Sequence, residues 1–313
     1  MTQEMIFKSE IEQKVYEALS EHGPMIGQSL KDALGTIDSM ELWRICYQSN
    51  LFRITSFSRY YLRYDITRDN QLRLSPSILR NFLTYSLVYR RGQQGQAVEQ
   101  GTRLANKHRA ISNRKIGVAR KVILSLEDEL REKLNQTCSF FVSGDLAYFL
   151  GHDVPRVHKQ TEATINGSDI DIVIVYNTEV TPEDIEAAEQ QILKFKYKAL
   201  KAEGGGEEID FIFKPVSKLM TQLQYRDIHE KIASKILYES FFIYGRLDIY
   251  DHLLMQMRLL GTEAKIEADF DTALKEREET IRKILGLVSP IDIHKDEEVN
   301  SLFFFSQERL EFQ

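Results

Sequence analysis

Apolar positions along the chain change their period several times, and each change predicts an element. In residues 9–22, "SEIEQKVYEALSEH", Ile11, Val15, Tyr16 and Leu19 recur at helical spacing, and Gly23-Pro24 ends the pattern. A shorter second helix turns Ile26, Leu30 and Leu34 inward, with Gly35 beyond its end. Asp38 or Ser39 can cap a third, which carries Met40, Leu42, Trp43 and Ile45. The stretch "LFRITSFSRYYLRYDI" then alternates and turns near Ser58, as a two-stranded wing would. Three helices and a hairpin predict a winged helix-turn-helix-like domain over 1–68. Residues 69–117 are polar and Gln/Gly-rich around "RRGQQGQAVEQG" and predict a connector with one helical piece near 77–89.

A different order follows. "VARKVILSLEDELREKLNQ" predicts one strong helix leading into the apolar strand "CSFFVSG". "NGSDIDIVIVY", residues 166–176, predicts a second buried strand with two carboxylates at its mouth. Thr181-Pro182-Glu183-Asp184 combines a hydroxyl N-cap, a proline at the first helical position and first-turn acids, opening a helix to about Leu200. "AEGGGEE" breaks it, and "IDFIFKPV" predicts a third strand. The pattern thus predicts an α/β (α+β) core over 118–218. From Leu219 to Leu287 it is mostly helical, with "EADFDTALKEREETIRKIL" the clearest run, giving a helical C-terminal lobe over 219–313. The tail "KDEEVNSLFFFSQERLEFQ" mixes acid with a Phe run, and no internal repeat is visible.

Length and composition narrow the class. A chain of 313 residues suffices for about two domains, and 42% hydrophobic with 28% charged residues is an ordinary globular balance. Cys46 and Cys138 form no metal-ligand spacing and no disulfide framework, which suits a reducing cytoplasm. The N-terminus lacks a signal-peptide layout, and no apolar run reaches the ~18 residues of a membrane span, so no membrane partner is expected. The formal charge of −6 is unevenly spread. Between Arg90 and Lys121 nine Lys/Arg face the single acid Glu99, a net of +8. That segment reads either as a solvated helix face or as a phosphate-tracking patch. Arg53, Arg59 and Arg63 of the expected wing are further phosphate candidates.

The carboxylates carry the chemistry. Residues i and i+2 of a strand share a face, so Asp169 and Asp171 point the same way, about 7 Å apart at their Cα atoms. Like charges that close repel, and a cation between them relieves the repulsion. Asp210, on the third strand, supplies another carboxylate. The turn Ser143-Gly144-Asp145 between a strand and a helix leaves backbone N–H groups for phosphates. Hard carboxylate oxygens in this order suit Mg²⁺ or Mn²⁺, and a pair of such ions activates an attacking hydroxyl and stabilises leaving pyrophosphate.

At "FFVSGDLAYFL", "SDIDIVIV" and "EEIDFIF" the chain resembles the DNA polymerase β-like nucleotidyltransferase superfamily, over roughly residues 118–255. "HEKIASKILYESFFIYGRLDIYDHLL" is similar to the later motifs of AbiEii-type nucleotidyltransferase toxins. The resemblance implies a mixed-sheet core that moves a nucleoside monophosphate from an NTP to a nucleic-acid hydroxyl, RNA and often a tRNA acceptor end. A toxin or phage-defence role with an antitoxin or other partner protein goes with it. It also implies site roles: Asp169, Asp171 and Asp210 as metal ligands, Lys231 and Asp248 in catalysis, and Ser143, Gly144, Asp145, Ser168, Lys235 and Asp251 around the nucleotide. Lys235, one turn beyond Lys231, competes for the triphosphate. Tyr250 falls within the second segment, and Arg246 is displaced by one from the family's Arg-Asp pair.

Two departures stand out. Asp145 replaces the usual Ser or Thr after the glycine, and it either caps the following helix, joins the metal ligands, or silences the site. The spacer from Asp145 to Asp169 holds 23 residues, 146–168, and includes Arg156, His158 and Lys159, a candidate lid. His152 and His158 fit a Mg²⁺ site less well than carboxylates do. The same core motif also serves synthases of oligonucleotide second messengers, and a silent site would leave a nucleotide- or DNA-binding regulator.

Overall fold

The computed structural model describes residues 7–65, 71–158, 161–202, 205–286, 300, 303 and 304. The chain divides into two compact units, one of residues 1–60, 74–107 and 274–309, the other of 61–73, 108–273 and 310–313. In chain order the first elements are α1 (Glu10–His22), β1 (Met25–Ile26), α2 (Gly27–Leu34), α3 (Ser39–Gln48) and β2 (Phe52–Ser56). After β3 (Tyr61–Asp65) and β4 (Gln71–Ser75) come a helical turn α4 (Ile78–Arg80), a wider turn over Asn81–Tyr85, β5 (Ser86–Arg90) and the long helix α5 (Gln94–Leu124).

The first unit begins as the apolar spacing predicts. Val15, Leu19, Leu30, Leu42 and Trp43 are fully buried. Ser9 accepts the Glu12 N–H at 3.1 Å to cap α1, and Asp38 accepts from Met40 and Glu41 at 3.0 Å to cap α3. The wing departs from expectation. β2 and β3 do not form a hairpin: β2 pairs antiparallel with β5, from Phe52 opposite Arg90 to Ser56 opposite Ser86. β3 pairs instead with β4, and β1 completes a three-stranded sheet in the order β1-β5-β2. The cause lies in β5, whose Ser86, Leu87, Val88 and Tyr89 are all buried. A strand buried on both faces takes the central place, and the half-exposed β2 takes the edge. Residues 71–117 are therefore largely strand and helix, and the expected helical piece near 77–89 gives way to β5 at Ser86.

The second unit continues with α6 (Asp128–Thr137), β6 (Cys138–Val142), β7 (Pro155–Val157), β8 (Thr164–Asn166), β9 (Ile170–Tyr176), α7 (Pro182–Leu200) and β10 (Ile209–Pro215). It ends with α8 (Val216–Gln222), α9 (Ile228–Tyr238), β11 (Phe241–Gly245), α10 (Leu247–Leu259) and α11 (Thr262–Gly286), of which α11 crosses into the first unit at Leu274. A mixed four-stranded sheet in the order β10-β9-β6-β11 is its centre. β10 runs parallel to β9, while β6 is antiparallel to both β9 and β11. Ile116, Ala119, Val122 and Ile123 of α5 and Ala188 and Ile192 of α7 pack with Phe140, Ile172 and Ile174 in one apolar cluster. Burial of these side chains at ~25 cal/mol per Å² holds the strand ends in place.

Two expectations change here. The single helix over 118–136 is broken at Ser125–Glu127, where Leu126 is buried in the same cluster. The region after Leu219 is not wholly helical, because "FFIYG" forms β11, an edge strand of the sheet. The capping box at Thr181 forms as expected, with Thr181 and Asp184 bonded reciprocally. Most of the tail from Lys295 lies outside the described residues.

Candidate functional site

β6 ends in a turn that only glycine accommodates. Gly144 has φ +67°, and a Cβ there would lie 3.3 Å from Oδ2 of Asp171. The Ser143 N–H donates to the Asp171 carbonyl at 3.3 Å, so the turn and the mouth of β9 are tied together. A short helical turn, Gly144–Leu146, follows in place of the expected helix.

Asp171 and Asp210 are register partners on the parallel strands β9 and β10. Both line a cleft of about 340 Å³, with Ser143, Gly144, Val173 and Ile212 on the sheet side. Lys235, Ile236 and Glu239 from α9 and Tyr61 and Arg63 from β3 complete its walls. Burial pushes the Asp171 carboxyl up to about 6, reinforced by the negative charges of Asp210 and Asp145 and opposed by Lys235. Glu239 is buried and ion-paired with Lys235; burial pushes its carboxyl up to about 7 against that partner's pull. Lys235 also lies 4.9 Å from the centre of the Tyr61 ring, which stacks on Tyr148 at 5.1 Å with an interplanar angle of 9°.

Asp145 does not cap. Its carboxylate accepts from the Tyr61 hydroxyl and from Ser168 Oγ, each at 2.9 Å, and it faces Asp171 closely enough to raise it. Ser168 is thereby a support for Asp145. The capping alternative falls because the short turn after Gly144 offers a poorer row of free N–H groups than a full helix does.

Asp169 stands apart from the cleft lining. Its cation is supplied by the chain itself: the Arg156 guanidinium, on the β7–β8 hairpin inside the long spacer, pairs with Asp169 and lies 2.6 Å from Glu208. Arg156 Nε also donates to the Gly167 carbonyl at 3.0 Å. Asp210 carries a second internal cation, Lys196 of α7, at 2.6 Å. Among the described residues no three His, Cys, Asp or Glu side chains are gathered closely enough to hold a metal ion. His152 is buried, and His158 lies 3.5 Å from Glu208.

The later motif divides. Lys235 enters the cleft, whereas Lys231 is 3.2 Å from Asp269 in a cluster with the mutually bonded hydroxyls of Tyr64 and Tyr225. Lys231 belongs to that cluster, and of the two lysines only Lys235 lines the cleft. Asp248 is exposed and paired with Arg246, Asp251 is exposed, and neither lines the cleft. Tyr250 is buried, its hydroxyl on the Ser240 carbonyl at 2.9 Å.

The basic segment is also reassigned in part. Lys115 is fully buried, paired with Glu207 and donating to the Asn166 carbonyl at 2.6 Å. Arg114 bridges Glu207 and Asp153, each at 2.5 Å. Lys115 is thus closed to phosphates, while Arg114, though exposed, is engaged by two carboxylates. Arg120 and Lys121 remain exposed.

Known proteins offer no further guide. No family model, no curated protein and no solved structure matches the chain. Among the described residues no helix is long and apolar enough to cross a membrane.

The cleft therefore sets the carboxylates Asp171 and Asp210 together with the cations Lys235 and Arg63, and Asp145 acts on Asp171 from outside the lining. Sequence reasoning missed Glu239 and Tyr61, whereas Arg63 is among the expected phosphate candidates. For Glu239 a signal existed, its i+4 spacing from Lys235 on one helical face.

Proposed function

We propose that the cleft transfers a nucleoside monophosphate from an NTP to a nucleic-acid hydroxyl with the help of Mg²⁺. One observation carries the reading: Asp171 and Asp210 stand in register beside the Gly144 turn and across from Lys235. The mixed sheet β10-β9-β6-β11 supports a nucleotidyltransferase core, and the order α1-β1-α2-α3-β2-β5 supports a winged-helix-like first unit. The donor set fits a hard divalent ion in chemistry: oxygen ligands only, with Asp171 lifted to about 6 first by burial and then by the charges of Asp210 and Asp145. Asp171 and Asp210 would hold the ion, with Asp145 beside them. When bound, it supplies charge neutralisation at the phosphates.

This chain's own residues do the rest. Lys235 offers a mobile charge to the triphosphate, and Glu239 holds it at the wall of the cleft. The Gly144 turn lets the backbone approach the phosphates without a Cβ in the way. Asp171, its carboxyl raised to about 6 and so mostly ionised at neutral pH, accepts a proton from the attacking hydroxyl.

A second reading has its own support. Arg156 and Lys196 already neutralise Asp169 and Asp210, as in a nucleotide-binding regulator without turnover. Incubation with each labelled NTP, with and without total RNA, separates the two. Labelled RNA that is lost in Asp171→Asn supports transfer. NTP binding without any product supports the regulator, and a labelled short oligonucleotide points to a second-messenger synthase.

A further inference from the structure

The last two turns of α7 present an unusual solvent face. Lys194, Lys198 and, at the C-cap, Lys201 follow at spacings of four and three, with Tyr197 between the first two and Leu193 beside them. Ile192 and Ala188, on the opposite side, are buried in the core cluster, so this row is the helix's outward pole. Tyr197 is 59% exposed and Leu193 40% exposed. Lys194, Lys198 and Lys201 are exposed and make no ion pair among the described residues, in a chain whose net charge is −6. Lysines at a helix C-terminus also complement the helix dipole, which accounts for their sign. That effect gives no reason for a large aromatic ring to stand in water among them.

A ring flanked by unpaired lysines at about one-turn intervals has the chemistry of a single-stranded nucleic-acid track. Bases stack on the ring, and phosphates pair with the ammonium groups. Location agrees. Lys196, on the flank of the same two turns, reaches Asp210 at 2.6 Å, and Asp210 lines the cleft. We propose that the C-terminal half of α7 docks single-stranded RNA, with a base on Tyr197 and phosphates on Lys194, Lys198 and Lys201. Its role as the track that leads an acceptor end to the cleft rests on the nucleotidyl-transfer reading; the binding itself does not.

The test is anisotropy of a labelled 12-nucleotide oligouridylate with the full chain, in EDTA and without nucleotide. Lys194→Gln/Lys198→Gln/Lys201→Gln should weaken binding at least tenfold and flatten the log–log salt slope by about two, at roughly 0.7 per contact on a single strand. Tyr197→Leu keeps an apolar body but removes the ring, and should weaken binding about fivefold or more with little change in salt slope. Melting curves and NTP binding of both variants should match the parent, which shows that the fold and the cleft are intact. Parental affinity in both variants, no binding by the parent at 50 mM salt, or tighter binding of anionic vesicles or polyglutamate than of RNA would each overturn the proposal. Transfer failing in the parent while this binding pattern holds would sink only the transfer reading.

Discussion

Asp171→Asn gives the sharpest check on the electrostatics of the cleft. In the folded chain this carboxyl is raised from 3.8 to about 6, first by burial and then by Asp210 and Asp145. A raised acid favours its protonated form, so its contribution to stability is complete below about pH 3.8 and is lost as pH climbs through about 6. Roughly two units at 1.36 kcal/mol each correspond to about 3 kcal/mol, and water at the open side of the cleft reduces this to about 2 kcal/mol. Asparagine keeps the shape and removes the charge. In EDTA at pH 8 the variant should therefore be about 2 kcal/mol more stable than the parent, a rise of several degrees in the melting transition of the second unit. At pH 4 the two should melt together. Added Mg²⁺ should stabilise the parent at pH 8 and leave the variant nearly unmoved. Thermal melts at pH 4, 6 and 8, with and without Mg²⁺, read all of this. A variant less stable than the parent at pH 8, or one with an unchanged pH profile, refutes the picture of Asp171 as a repelled carboxylate.

Other residues carry separate expectations. Lys235→Met should abolish NTP binding by calorimetry and leave Glu239 buried without its partner, destabilising the chain by about 2–4 kcal/mol. Adding Glu239→Gln should restore much of the stability and none of the binding, whereas Lys231→Met should spare NTP affinity; the reverse ranking of the two lysines would show the wrong one in the cleft. Arg156→Ala frees Asp169 and Glu208 to repel each other, so Mn²⁺ affinity should rise while apo stability falls by about 1–2 kcal/mol; an unchanged titration with Mn²⁺ would mean that Asp169 lies outside the cation's reach. Lys115→Met breaks a buried pair with Glu207 and should cost about 3 kcal/mol in urea unfolding while leaving the salt slope of RNA binding intact; a flatter slope would return Lys115 to the phosphates.

Local physics was legible from the chain alone. Ser9, Asp38 and Thr181 announce helix starts because an N-cap needs only a side-chain oxygen and the next three N–H groups. The strands holding Cys138–Val142, Ile170–Tyr176 and Ile209–Pro215, with the carboxylates at their mouths, follow from apolar runs bounded by turn residues. Choice of partner was another matter. Alternation reports that a strand has an inner face and says nothing about which strand lies beside it, so β2 pairs with β5 and not with its neighbour in sequence. Ion pairs have the same blindness. Asp169 and Asp171 are equivalent on paper, yet the β7–β8 hairpin delivers Arg156 to one and leaves the other in the cleft with Asp210. Lys231 and Lys235 share a helix face, and only tertiary packing brings one to the Tyr64–Tyr225–Asp269 cluster and leaves the other, paired locally with Glu239, in the cleft. Short-range backbone chemistry is written residue by residue; the fate of a charge depends on which distant groups come within a few ångströms of it, and that is decided only when the core closes.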